Sequence, residues 1–500
     1  MSAPDTTSSA YDAMKPYWDT VAAIMGGTEA MRKGGETYLP RFDGESLERY
    51  EIRRKHAKFT NIFGDMIETL ASKPFAEEIT LKDGTSETIR ALAENIDARG
   101  NRLDVFAKAV FSAGLAKGID WVWVDYSRAQ PRTDGKPLSV AEEKAQRLRP
   151  YWVRIPAERM LAVYTDTVDG EEQVVHARIR EDGVRRDGYN EVAVERIRVL
   201  EREPLTDGDG KHIGYGPAIF RLMEKSAAGR ARKATWTEID SGPITIGVIS
   251  LVPFITGERK DGGWEIIPPF KPVAELQVEH YQAEAKLKSI SDLTGYPMLV
   301  GKGINPPIGA DGKPIAAPVG PQAVLYAPPH GETGTSGDWS IIEPNGTSLT
   351  FLAKQVETIE GQMRELGRQP LIATTGITAV AAAYSSQKAT SVIQAWALSL
   401  KDMLEQCLKF TAMWLSEAVE PELVWNLDDI DLTIGDENSI NALTAMRAKG
   451  DISRKTYWAE CKRRGVLGAD FDADTEEVLL ASEAPDEDTE DDLKAAAGAQ

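Results

Sequence analysis

The residues that could do chemistry are few and scattered. His56, His176, His212, His280 and His330 show no spacing that would set two imidazoles on one face. The chain contains no H-E-x-x-H and no paired C-x-x-C, so it offers none of the usual zinc frameworks. Cys407 and Cys461 are far apart, which speaks against a disulfide framework, and Cys407 reads as a small core residue in a helical pattern. Gly309-Ala310-Asp311-Gly312-Lys313-Pro314 has the Gly-Lys of a phosphate loop but not the rest, and Pro314 would spoil the helix that must follow. Asp470, Asp472 and Asp474 copy the opening of a calcium loop. The sixth position is Thr475 instead of Gly and the twelfth is Ala481 instead of Glu, so a solvated acidic tail is the reading. Asn345-Gly346-Thr347 matches a glycosylation signal and reads as a turn before a helix. Trp121 and Trp123 fit a core strand better than a ligand platform, and His280 fits inter-helix packing or hydrogen bonding better than a catalytic base. Carboxylate pairs abound and nothing singles one out, so a carboxylate-dependent hydrolase is kept only as an alternative. The chain is read as a non-enzyme with no cofactor and no metal.

Size and charge narrow the class. Five hundred residues exceed one ordinary core, so two to four subdomains are expected. The hydrophobic share of 42% and charged share of 27% are those of a folded soluble protein. No apolar run approaches ~18 residues, so no membrane span is expected, and residues 1–10 show no secretory pattern. With 58 Lys and Arg against 78 Asp and Glu the net charge is −20, which argues against a sequence-specific nucleic-acid reader. Residues 470–494 carry twelve acids and one lysine. That stretch is expected to be a disordered acidic tail.

The elements follow from periodicity and punctuation. Short helices are expected over 10–26 and 27–32, then one strong helix over 46–70 capped by Ser46 and ended by Pro74. Residues 103–115 read as a helix and 119–126 as a buried strand. Residues 150–270 read as an antiparallel meander, punctuated by Asp-Gly pairs such as 169–170 and 187–188. The centre of the chain is 271–420. Leu276, His280, Ala283, Leu287 and Ile290 step by three and four along a helix over 272–293, stopped by Gly295 and Pro297. Leu352, Val356, Ile359 and Met363 do the same over 348–368, near the 3.5 period of helix-on-helix seams. Between them, 296–345 is rich in Pro and Gly with three short strand candidates. Such a lobe makes little core of its own and needs neighbours. The stretch 370–384 is neutral and small, and 385–419 is a long helix. A strand over 427–434 and a helix over 439–449 come next, then a helical restart at Ser453.

Helix, insert, antiparallel helix, neutral loop and long helix, in that order, resemble a tailed-phage portal protein, and more narrowly the portals with a DUF4055-type domain. The residues that carry the resemblance are Trp18 with Gly26-Gly27, Tyr38-Leu39-Pro40, Pro268-Pro269 leading to His280-Tyr281, Thr294-Gly295-Tyr296-Pro297, and Ser385 to Ala389. It spans about residues 12–465. The resemblance implies an α+β subunit of several subdomains. It implies a wing over 1–270, stem helices over 271–295 and 347–369, a clip over 296–346 and a tunnel loop over 370–384. The long helix and a return strand over 385–435, a helical crown over 436–470 and the acidic tail over 471–500 complete the layout. It further implies a homo-oligomeric ring, usually of twelve copies, at one vertex of a virion capsid. Double-stranded DNA would pass through it non-specifically. The implied partners are the terminase large subunit, a head-completion or adaptor protein, the major capsid protein and scaffold, with no membrane partner. A minor head protein of another kind is the alternative within that class. In that layout Ala373, Thr374, Thr375, Gly376, Ile377, Thr378 and Ala379 would line the channel, and Lys302, Lys313 and Lys354 could meet phosphates. An acidic, repeated subunit suits a conduit, because each phosphate neutralised by Lys or Arg adds affinity and hinders sliding.

Overall fold

The computed structural model describes residues 3–128, 146–226, 235–294, 298–310, 312, 324–328, 337–342, 347–367, 379–418, 421–427, 437–463, 466–468 and 471–483. It is a mixed helix-and-sheet chain of several subdomains. It divides into two compact units, one of residues 1–369 with 395–425, the other of 370–394 with 426–500.

The first unit opens with helices α1 (Ser9–Met25), α2 (Gly27–Lys33), α3 (Leu47–His56), α4 (Ile62–Ser72), α5 (Glu87–Ala93) and α6 (Leu103–Lys117). Strand β1 (Thr80–Leu81) lies between α4 and α5. Polar side chains start most of these helices: Ser8, Ser46, Asn61 and Ser86 each accept a first-turn backbone N–H. Gly118, in the left-handed region at φ 86°, ends α6 and turns the chain directly into β2 (Ile119–Tyr126). That apolar run is buried on both faces over its first six residues, as its composition predicts. It pairs antiparallel with β3 (Pro150–Ile155) on one side and β11 (Leu251–Ile255) on the other. Helix α6 packs on this small sheet, where Gly114 leaves room for the ring of Phe254.

The segment between β3 and β11 is an antiparallel meander, as its Asp-Gly punctuation predicts. It contains β4 (Met160–Val168), β5 (Glu171–Arg180), β6 (Gly183–Asp187), β7 (Asn190–Val194), β8 (Arg196–Thr206), β9 (His212–Lys225) and β10 (Trp236–Pro243). The five-stranded sheet runs β10-β9-β8-β5-β4, and β6–β7 form a separate hairpin. Asp169 and Gly170 take φ 53° and 86° in the β4–β5 turn, the left-handed pair that a tight hairpin requires. A short pair, β12 (Glu258–Arg259) with β13 (Ile266–Ile267), leads to the central helix α7 (Lys271–Thr294). The lobe after it holds β14 (Met298–Lys302), β15 (Val324–Ala327) and β16 (Asp338–Ile342), and helix α8 (Thr347–Leu366) follows. Helix α9 (Ala379–Leu415) is long, and β17 (Leu423–Val424) pairs with β1. Residues 395–415 of α9 are tied to the β2 sheet through indoles. Trp396 donates to the Thr256 carbonyl, Trp414 to the Val124 carbonyl, and Trp152 to the Thr411 hydroxyl. The second unit contains α10 (Glu437–Lys449), α11 (Arg454–Arg463) and α12 (Ala473–Glu483).

Three expectations need correction. The expected single helix over 46–70 is two helices, α3 and α4, broken at Ala57 with ψ 128°. The break is a docking joint for α7. Buried Gln277 on α7 accepts from the Phe63 N–H at 2.9 Å and donates to the Thr60 carbonyl at 2.9 Å. Glu284, two turns on, accepts from the Thr60 hydroxyl at 3.1 Å and from its N–H at 3.3 Å. Backbone groups that a continuous helix would have satisfied internally are satisfied by another helix. The acidic stretch expected to be disordered carries α12, whose first turn is capped by Asp472 accepting from Thr475. That capping role accounts for Asp472, and Asp474 pairs with Lys455. The expected loop over 370–384 is helical from Ala379 onward, and the expected strand over 427–434 lies outside the described residues apart from Leu427, which is not in a strand.

Two predictions follow from this packing. Gln277→Leu removes both hydrogen bonds and strands the buried Phe63 N–H, while the Thr60 carbonyl keeps the Ile62 N–H, so it should cost about 1–3 kcal/mol in denaturant unfolding. Leu276→Ala, at a half-buried position, should cost less. The reverse ranking would refute the joint. The second concerns Asp120 on β2, which is fully buried beside Arg154 with one oxygen unpartnered. Burial pushes its carboxyl up to about 7, against the opposing pull of Arg154. A carboxyl raised in the folded state favours folding at low pH, and that advantage is lost as pH rises from about 4 through 7. The stability of Asp120→Asn relative to the native chain should therefore improve with pH across that window, by up to ~1.4 kcal/mol per unit. A pH-independent difference in thermal melts would contradict it.

Candidate functional site

The feature that distinguishes this chain is the α7–α8 pair with the lobe between its ends. The helices pack directly on each other. Their sense is antiparallel. Helix α4 touches early α7 at Gln277 through Phe63, and touches the end of α8 at Gly367, where a Cβ would fall on the Met66 sulfur. The buried stripe of α8 is Leu352, Val356, Ile359 and Met363, the last with no exposure. On α7 the buried face is rotated from the one its large aliphatics suggest. Val273, Ala274, Gln277, His280, Tyr281 and Ala285 are buried, whereas Leu276, Leu287 and Ile290 are half-buried. The small residues Ala274 and Ala285 let neighbouring helices approach closely, and Tyr281 stacks edge-on against Phe59 at 5.7 Å.

A polar contact at the centre of the pair crosses from α7 to α8. His280 Nε2 lies 3.2 Å from Glu360 Oε1, with His280 fully buried. Its Nδ1 lies 3.8 Å from Glu284 Oε2 and has no hydrogen bond. Glu284 thus connects the α3–α4 joint to the centre of the helix pair. Sequence periodicity placed His280 on the seam but missed Gln277, Glu284 and Glu360. The available signal was polar residues at the three-and-four spacing of the stripe itself.

The lobe sheet has β14 in the middle, parallel to β15 and antiparallel to β16. Leu299, Gly301, Trp339, Ile341, Val324 and Tyr326 share one face by register. Gly301 has no side chain because the Trp339 ring occupies that space, and Trp339 meets Tyr326 edge-on at 6.2 Å. Trp339 is 48% exposed and Ile341 68%, so among the described residues this apolar face is left open.

The other sequence candidates are not gathered into a site. Lys302 is exposed at the end of β14, opposite Asp338 in register, and Lys354 is exposed on α8. Lys313 and residues 373–378 lie outside the described residues, and Ala379 is the first residue of α9. Among the described residues no group of three His, Cys, Asp or Glu could hold a metal ion. Cys407 is buried, which raises its thiol pKa well above the usual range, and Cys461 is buried too. Among the described residues no helix is long and apolar enough to cross a membrane.

No curated protein matches the chain in sequence. Among solved structures, it is similar to a chain of the virion of a native gene transfer agent particle. Identity is 13% and the TM-score 0.36, covering 90% of this chain and 98% of that one. It is similar also to chains in the neck of an empty gene transfer agent particle computed with C6 symmetry (11% identity, TM-score 0.38) and of a native particle computed with C12 symmetry (13%, 0.34). These cover 79% and 81% of this chain and 88% of each counterpart. Likeness at this level leaves the functional argument to the chain's own geometry. The family model of a domain of unknown function, DUF4055, matches residues 269–415, which are α7, the lobe, α8 and α9 through its last turn.

Proposed function

We propose that the chain is the subunit of a ring-shaped portal of a phage-like particle, through which double-stranded DNA enters and leaves the head. The observation that carries this reading is the antiparallel α7–α8 pair with a lobe between them that holds a three-stranded sheet, one apolar face of which is open among the described residues. A sheet that small is not expected to be stable with Ile341 and Trp339 in water, and identical neighbours in a ring are the simplest cover. In this reading α7 and α8 are the stem, the lobe is the clip, the β meander and its helices form the wing, and the tunnel segment is 370–384, helical from Ala379 onward. The helices α10 and α11 are the crown. Ala373 to Ala379 face the channel, and Lys302, Lys313 and Lys354 are its sparse phosphate contacts. A net charge of −20 per copy keeps DNA moving instead of bound. The terminase large subunit, a head-completion protein, scaffold and the major capsid protein dock on the ring, and the chain itself catalyses nothing.

Native mass spectrometry of the purified chain over a concentration series tests this. The expected result is a closed assembly of about twelve copies. A monomer at every concentration would overturn it. Ile341→Asp, on the exposed lobe face, should leave the melting temperature of the monomer unchanged and weaken assembly by more than about tenfold.

A further inference from the structure

The second unit holds a charge contrast that the channel reading does not use. Residues 437–464 carry seven Lys and Arg against three acids, whereas residues 470–494 that follow carry twelve acids and one lysine. In a chain of net charge −20, the α10–α11 pair is a cationic island. Lys449, Arg454, Lys455 and Lys462 are exposed. Met446 is the one exposed large apolar side chain described on the two helices. Such a surface suits a phosphate backbone, which asks for charge, better than an acidic protein, whose interface would need apolar anchors.

Helix α12 already lies on that island. Asp474 and Glu477, three apart and so on one face, both reach Lys455, at 2.8 and 3.1 Å. Lys462 donates to the Phe471 carbonyl at 2.8 Å, and Phe471 meets Trp458 edge-on at 5.8 Å. The ion pairs are solvent-exposed, so the cover is weak and salt-labile. A denser polyanion can displace it.

We propose that α10 and α11 form a phosphate-binding surface for double-stranded DNA, and that α12 competes for that surface. The acidic helix acts as a built-in stand-in for the DNA backbone, holding the site closed until duplex is locally concentrated. This goes beyond the portal reading and stands or falls without it, since it requires no channel.

The test is duplex binding by the full-length chain, read by fluorescence anisotropy on a ~30-bp duplex at salt from about 50 to 200 mM. Asp474→Asn/Glu477→Gln, which frees Lys455, should bind at least about fivefold tighter than the native chain. Glu191→Gln/Glu203→Gln makes the same change in net charge at exposed positions of the first unit and should change binding by less than about twofold. Adding Lys455→Ala/Lys462→Ala to the first variant should abolish its gain and lower the salt slope by about two. These side chains are exposed, and melting curves report whether the variants stay folded. Equal gains from both neutralised pairs, or a gain that survives loss of the lysines, would overturn the proposal. So would poly-aspartate binding the opened variant as tightly as duplex does.

Discussion

Everything in the central part of the molecule depends on how α7 is held, and it is held by hydrogen bonds as much as by apolar contact. A helix docked only by an aliphatic stripe can rotate or slide by a residue at modest cost, because the hydrophobic effect has no direction. Gln277 and Glu284 remove that freedom. Each satisfies backbone or hydroxyl groups at the break between α3 and α4, the buried Phe63 N–H among them. Register along α7 is thereby fixed to about one residue. His280 and Glu360 extend the same logic across to α8. The break in the early helix and the polar residues in the α7 stripe are one device seen from two sides.

Around that joint the remaining ties are long-range and specific. Indole donors fasten α9 to the sheet of β2, and Trp425 reaches the Pro74 carbonyl near the end of α4. These bonds tie the helices of the first unit to its small sheet, while the apolar face of the lobe, with Trp339 and Ile341, stays exposed among the described residues.

Much of this was legible in the residues. Strand β2 follows from Ile119 to Tyr126, the turn at Asp169-Gly170 from its dipeptide, and the α8 stripe from Leu352, Val356, Ile359 and Met363. Periodicity misplaced the buried face of α7, because it weighs Leu276 and Leu287 above Gln277, and the tertiary contact reverses that weight. It fused α3 and α4 because it weighs apolar spacing above the Asn61 cap that starts α4, and the Gln277 and Glu284 that hold Thr60 and Phe63 lie more than two hundred residues downstream. Composition missed α12, since an acidic, aromatic-poor stretch gives no core signal while an Asp cap and a lysine partner suffice to order one helix. The three lysines expected near phosphate stand singly in the sequence, and the net charge of the chain conceals the cationic pair α10–α11.

Electron microscopy of the purified assembly tests the central claim most directly, because it reports where the helix pair sits relative to a symmetry axis. The account predicts a ring with an axial opening wide enough for duplex DNA, walled by α7 and α8, with the lobe of each copy against its neighbour. An assembly closed on its axis, or one whose helix pairs face outward with the lobes apart, would contradict it.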